Sequence, residues 1–316
     1  MNIPTKAMPF HEGELRAQAL AGGGPPGFAI RAAMPDQHRD FFAMLRYMLV
    51  ATINRDGWPV ASIVTGSAGF VTSPAVDRLI IAPETHWLQQ IKPLLQAGQP
   101  VGMLGIDLHT RRRNRVNGVI SHLDEAGMHL QVTQSFGNCP KYIQIRDIDD
   151  SNSTPIADAV NTQSFINLDE QARAMLANAD TLFVATTSGS QMTENGGVDV
   201  SHKGGRPGFI RVEGNTLTIP DFVGNRYFNT LGNLQIDPRA ALLIVDFTSG
   251  DVLHLQGKAN VLWQSAEAAQ LAGAQRLWQF HVERGSHSKH AVPLRWQFKE
   301  FAPTTTATGI WPLEAA

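Results

Sequence analysis

The stretch Ser201-His202-Lys203-Gly204-Gly205-Arg206 and the later stretch Gly224-Asn225-Arg226, with Asn229 close behind, combine cations, small hydroxyl or amide donors and glycines. Guanidinium and ammonium groups make charge-assisted hydrogen bonds to phosphate oxygens. Serine and asparagine complete the shell, and glycine lets backbone N–H groups come close. The chemistry is that of binding a phosphate-bearing ligand. Both stretches flank one predicted hairpin, Phe209–Arg211 with Thr216–Ile219, so the edge of a sheet must position them.

The elements around that hairpin occur twice. In the second half, Leu182–Thr186 and Val198–Val200 read as strands, Phe209–Val212 and Thr216–Ile219 as two more, Tyr227–Leu234 as a short helix and Ala241–Phe247 as a strong strand. In the first half, Tyr47–Thr52, Trp58–Val64 and Arg78–Ala82 read as strands, Leu88–Leu95 as a helix and Val101–Ile106 as a strand. Gly69-Phe70-Val71 matches Gly208-Phe209-Ile210, Pro100 matches Pro238, and Gly118 matches Gly257, all at nearly one offset. Val50-Ala51-Thr52 matches Val184-Ala185-Thr186 at a shorter offset, which places a longer loop at Ser188–Gly197. The reading is an internal duplication of a small β barrel, mainly β with flanking helices. It divides the chain into an N-terminal arm (1–35), a first barrel (36–146), a linker (147–167) and a second barrel (168–316). Helices at Asp36–Leu45 and Leu168–Asn178 open the two halves, and Gly22–Gly27 reads as an irregular arm on the surface.

Composition excludes several classes. The chain has 316 residues, a net charge of −2 and a charged fraction of 17%, which argues against a general nucleic-acid binder. One cysteine, Cys139, rules out an intrachain disulfide framework and reads as a small buried residue. No segment has signal-peptide or membrane-spanning character, so a cytoplasmic protein without a membrane partner is expected. The eleven histidines show no metal-ligand spacing such as HExxH, and no metal is expected. Neither half shows the strand, Gly-rich turn and helix of a dinucleotide fold, and no phosphate-binding loop with Lys-Ser/Thr occurs.

The blocks Asp199–Phe209, Ile219–Arg226 and Asn229–Asn233, the Asp237-Pro238-Arg239 turn, His109–Arg115 and Ser135–Gln144 together resemble the flavin-nucleotide-binding proteins related to pyridoxamine 5′-phosphate oxidase. More closely, they resemble a tandem, double-barrel branch of that family. The resemblance implies the FMN-binding split β barrel, with FMN held non-covalently. Carried over residue by residue, it implies cofactor contacts from Ser201, His202, Lys203, Arg206, Asn225, Arg226 and Asn229. Arg226 falls at the phosphate-clamp position, with the following helix start adding free N–H groups. A charge-assisted hydrogen bond contributes roughly 1.5–3 kcal/mol, so loss of Arg226 is expected to weaken FMN binding about ten- to a hundredfold.

Arg111, Arg112 and Arg113 read as a solvated face or as contacts to an anionic substrate or the flavin edge, and Tyr142 and Gln144 as possible ring contacts. In the first half, Val64-Thr65-Gly66 and Glu84–Trp87 stand as the counterparts of the phosphate residues and lack their cations. One phosphate site per chain is therefore expected, in the second barrel, with the first barrel covering the flavin ring. The activity implied is FMN-dependent oxidoreduction of a small molecule, with a donor such as NAD(P)H and possible homodimers. The alternative is a flavin- or haem-binding protein for storage, delivery or sensing.

Overall fold

Two sheets with the same strand order, one from each half of the chain, carry the site. The computed structural model describes residues 9–82, 91–153, 160–189 and 195–312. The N-terminal arm contains α1 (Glu12–Leu20), and α2 (Asp36–Met44) opens the first barrel. There follow β1 (Tyr47–Ile53), β2 (Pro59–Thr65), β3 (Val71–Ala75), β4 (Arg78–Ile81), β5 (Pro100–Asp107), β6 (Arg112–Asp124) and β7 (Gly127–Gly137). Short strands β8 (Ile145–Ile148) and β9 (Thr162–Phe165) connect to α3 (Glu170–Asn178). The second barrel comprises β10 (Thr181–Thr187), β11 (Val198–Gly204), β12 (Arg211–Glu213), β13 (Thr216–Phe222), α4 (Asn229–Asn233), β14 (Arg239–Val245), β15 (Val252–Leu262) and β16 (Ala274–Ser288). Strand β17 (Trp296–Glu300) pairs with β8.

The sheet orders are β2-β1-β5-β6-β7-β4-β3 and β11-β10-β14-β15-β16-β13-β12. They are the same path drawn twice. The register repeats as well: Ala51 pairs with Gly102 and Ala185 with Ala241. Each long hairpin is also bulged at one equivalent place, between Asn117 and Gly118 and between Gln256 and Gly257. The bulge explains the matched glycines. A Cβ on Gly118 would lie 2.1 Å from the Gln131 carbonyl oxygen, and one on Gly257 2.0 Å from that of His281. No side chain fits at either position. The chain is thus two tandem split barrels from an internal duplication.

The continuous apolar runs of β1 and β10 follow from burial on both faces. Met48 and Val50 point into the first barrel's core, and Leu182 and Val184 into the second's. The alternate residues Leu49, Ala51, Phe183 and Ala185 meet in a third apolar cluster between the barrels. Helix α3 starts where Asp169 accepts a hydrogen bond from the Ala172 backbone N–H, and it buries Ala172 and Leu176.

Three expectations need correcting. The stretch 147–167 is not a plain linker, because β9 pairs with β16 and extends the second sheet. The strand placed at Phe209–Val212 begins instead at Arg211, because Phe209 and Ile210 are drawn into the barrel core. The arm is not wholly irregular either: α1 packs on α4, and Gly22 and Gly23, with φ of 76° and 106°, form its C-terminal stop. The helix expected at Leu88–Leu95 is described only from residue 91, as a 3-10 turn at Lys92–Leu94. Residues 83–90, and 190–194 of the Ser188–Gly197 loop, lie outside the described residues.

Candidate functional site

A cavity of about 240 Å³ opens where β11, the end of β13 and the 223–229 loop face the 138–142 loop of the first half. Six cations line it, Arg113, Arg115, Lys141, Lys203, Arg226 and Arg276, against one carboxylate, Asp221. Four residues from the two stretches expected to bind phosphate line the same cavity: Ser201, Lys203, Asn225 and Arg226. Asn229 lines it too, although its amide is turned to the Glu14 carboxylate of the arm.

The cations differ in how much their neighbours occupy them. Lys203 Nζ and Arg276 Nη1 each sit 2.8 Å from an oxygen of Asp221, so the two share one counter-charge. Among the described residues, Lys141 makes no hydrogen bond or ion pair. Arg226 donates from Nη2 to the carbonyls of Ala21 (2.7 Å) and Gly23 (2.5 Å), at the C-terminal end of α1, where a cation is favoured. The residue at the expected phosphate-clamp position thus also fastens the arm over the cavity mouth. Arg115 is almost fully buried and crosses between the barrels to Asp199 (2.7 Å), the Val200 carbonyl and the Ser201 hydroxyl.

His202 lies on the opposite side of β11 from Ser201 and Lys203, since side chains alternate along a strand. Its ring packs edge-on against Phe183, and Arg113 Nη1 approaches its Nδ1 at 3.0 Å. A guanidinium only donates, so Nδ1 accepts and the proton sits on Nε2, which has no partner. Burial, with Arg113 and Arg146 nearby, pushes its pKa well below the ordinary value, so the ring is neutral. Arg113 is itself spent on the Cys139 carbonyl (2.8 Å) and on His202, which ties the first half to β11.

Several expected contacts lie elsewhere. Arg206 donates to the Thr308 carbonyl (2.5 Å) and does not line the cavity, because the Arg206-Pro207 turn aims it at the C-terminal segment. Arg111 pairs with Glu300 (2.6 Å), and Arg112 donates to the Gln37 carbonyl while stacking on Phe41. Gln144 is fully buried, donating to the Tyr142 carbonyl and accepting from the Ala302 N–H, so its amide knits backbone segments. Tyr142 does line the cavity, with its ring 5.3 Å from that of Phe222 and its hydroxyl on the Val223 carbonyl.

The first-half counterparts also shift. Val50 pairs with Ser62 as Val184 pairs with Ser201, so Ser62, Ile63 and Val64 occupy the positions of Ser201, His202 and Lys203. The serine is retained, whereas an apolar side chain replaces the lysine. Glu84–Trp87 lies outside the described residues.

Backbone conformation gives a signal that residue types did not. Six described non-glycine residues have left-handed φ, and three of them, Tyr142 (63°), Arg226 (61°) and Phe228 (62°), line this one cavity. Each such residue costs on the order of 1–3 kcal/mol and persists where the surroundings over-determine it, as ligand clamps do.

The arm adds a titratable group. Glu14 is buried beneath α4, accepting hydrogen bonds from Asn229 and from the His11 N–H. Burial first, and then the negative charge of Asp199, pushes its pKa up to about 8, while Arg115 and the two hydrogen bonds pull the other way. The folded state therefore holds a proton that the unfolded chain releases above pH 4.5, so this contribution to stability is complete below pH 4.5. It is lost as pH rises towards 8, at up to about 1.4 kcal/mol per pH unit. Proteolysis of the arm is accordingly expected to accelerate between pH 6 and 9, and Glu14→Gln to flatten that dependence. An arm equally resistant at both pH values would contradict the assignment.

Among the described residues, no helix is long and apolar enough to cross a membrane. Residues 168–297 match the family described as pyridoxamine 5′-phosphate oxidase. No curated protein sequence matches the chain significantly. Solved structures similar to part of it include HupZ of Group A Streptococcus, at 15% identity over 37% of this chain and 91% of that one, with a TM-score of 0.30. Another is a Clostridium acetobutylicum protein related to general stress protein 26, of the pyridoxinephosphate oxidase family, at 14% identity over 40% and 92% with a TM-score of 0.27. A third is HutZ, the haem storage protein of Vibrio cholerae, at 15% identity over 39% and 94% with a TM-score of 0.27.

Proposed function

We propose that this chain, which through residues 168–297 belongs to the pyridoxamine 5′-phosphate oxidase family of split barrels, binds FMN in the cavity between its two barrels and serves in oxidoreduction. The observation that carries the proposal is the cavity itself: besides Arg115, which Asp199 already neutralises, five cations face one carboxylate, with three left-handed side-chain-bearing residues holding its walls. A phosphate dianion suits that balance. Among the described residues Lys141 is unpaired, and Lys203 and Arg276 share Asp221 as their counter-charge. Ser201 and Asn225 add neutral polar groups. In its described form the cavity is smaller than the roughly 300–1,000 Å³ of a small-molecule pocket, so the flavin ring requires the arm at Ala21 to give way.

FMN, once bound, supplies the hydride chemistry, with a donor such as NAD(P)H, and the chain supplies binding and orientation. Lys203 and Arg276 hold the phosphate end, and Tyr142 and Phe222 offer an aromatic wall for the ring. No lining residue is placed as an acid or base: His202 is neutral, with Nδ1 occupied by Arg113. The haem alternative has less support, since His202 is the one histidine among the lining residues and its Nε2 is covered by protein.

The test compares FMN with riboflavin by fluorescence titration of the purified full chain. FMN is expected to bind and riboflavin to bind much more weakly. Lys203→Met should weaken FMN about ten- to a hundredfold, the loss of one charge-assisted hydrogen bond, while leaving riboflavin nearly unchanged. Equal binding of the two flavins, or none of either, would remove the phosphate assignment. Bleaching of bound flavin by NAD(P)H without oxygen, followed by its return in air, separates turnover from storage.

A further inference from the structure

We propose that His122, Asp124 and His129, at the tip of the β6–β7 hairpin, form a binding site for a divalent transition metal, with Zn²⁺ as the probe ion. The three residues are remote in role from the cavity and have no part in the proposed flavin chemistry. Their ligand atoms, one from each side chain, all lie within 4.8 Å of one another. The hairpin makes this possible: His122 and His129 are partners across the two strands, and their rings stack with centroids 3.9 Å apart.

The carboxylate between them is held in place. Asp124 Oδ1 accepts the backbone N–H groups of Ala126 (2.9 Å) and Gly127 (3.1 Å), closing the turn, and also meets His129 Nε2 at 2.9 Å. Oδ2 is left facing His122 Nε2 at 3.4 Å.

The neighbours of His122 orient its ring as a ligand is oriented. A bulge between Ile120 and His122 sets Ser121 beside the histidine ring. The Ser121 hydroxyl donates its one proton to the His129 carbonyl (3.2 Å), so towards His122 Nδ1 (3.1 Å) it can only accept. With the hydroxyl proton so placed, His122 carries a proton on Nδ1, and its Nε2 faces the carboxylate oxygen. A cation between Nε2 and the carboxylate, either a proton or a metal ion, satisfies both groups. An outer hydrogen bond that fixes the tautomer and bares Nε2 is the arrangement that tunes metal-ligating histidines. Two imidazole nitrogens and one carboxylate oxygen suit Zn²⁺, with water in a fourth position. Bound Zn²⁺ would sit about 2.0–2.2 Å from its nitrogen and oxygen ligands.

The test is calorimetric titration of the tag-free, chelator-treated full chain with Zn²⁺ alone. One equivalent is expected to bind. His122→Ala and His129→Ala should each weaken it at least about tenfold, and Ser121→Ala about tenfold through the lost tautomer, with far-UV circular dichroism unchanged in all three. If the doubly substituted His122→Ala, His129→Ala chain binds Zn²⁺ as tightly as the native one, or if the native chain binds none, the proposal is overturned.

Discussion

Replacement of Arg115 by alanine is expected to destabilise the folded chain by about 3–5 kcal/mol, the usual cost of leaving one member of a buried ion pair alone. Arg115 and Asp199 are both buried and 2.7 Å apart, and they belong to different barrels. The guanidinium also serves the Val200 carbonyl and the Ser201 hydroxyl and lies over the Phe136 ring. Without it, among the described residues Asp199 keeps only the amides of Asn117 and Asn233 as side-chain partners. A charge with neutral donors alone is poorly compensated in an apolar setting. Urea unfolding followed by fluorescence measures the loss. Because the pair bridges the barrels, the single transition should also broaden or split. Arg115→Met combined with Asp199→Leu should recover part of the stability, since an apolar pair replaces the charges without leaving one stranded. A loss below about 1 kcal/mol would place the pair among ordinary surface bridges and not at the centre of the interface.

That bridge shows where sequence reasoning stops. The duplication was legible because each bulge leaves no room for a Cβ, so Gly118 and Gly257 stand out at matching positions. The strands were legible because β1 and β10 are buried on both faces and read as unbroken apolar runs. Arg115 and Asp199 meet only through the packing of one barrel on the other, and nothing local to either residue announces it. The same holds for Ser62, the true counterpart of Ser201, since strand pairing and not loop spacing sets the register.

Ser201, Lys203, Asn225 and Arg226, singled out for residue types that suit a phosphate more than a core, do line one cavity. Arg206 and Gln144 have suitable types as well, but their directions are set by a proline turn and by backbone groups from distant segments. Helix α1 stayed hidden for a further reason. Its buried face is Gly13, Glu14, Ala17 and Gln18, so no apolar stripe marks it. His122, Asp124 and His129 have no helical metal spacing, since a hairpin brings them together.

Gly13→Val is expected to free the arm while leaving both barrels folded. A Cβ at residue 13 would lie 2.2 Å from the Gly232 carbonyl oxygen and 2.8 Å from Ile236 Cγ1, and a backbone oxygen cannot step aside as a flexible side chain can. Helix α1 must then lift from α4. Phe10 would leave its ring contact with Tyr227, the Glu14 carboxyl would reach water and ionise, and Arg226 would lose the carbonyls of Ala21 and Gly23. The first readout is limited proteolysis, with cleavage before residue 35 accelerated and the remaining fragment resistant.

The second readout is FMN affinity, and its sign is the informative part. With the arm seated, Ala21 lines the cavity and the Arg226 guanidinium is occupied, so under the proposed function only the fraction of molecules with a lifted arm would accept the flavin. The apparent dissociation constant is the intrinsic one divided by that fraction. If about one molecule in ten is open, releasing the arm tightens FMN about tenfold. Lys203→Met in the same background should reverse most of the gain, because the phosphate loses a cation however the arm lies. Weaker FMN binding in Gly13→Val, with the barrels intact, would instead make α1 a wall of the flavin site and Arg226 a residue that positions it.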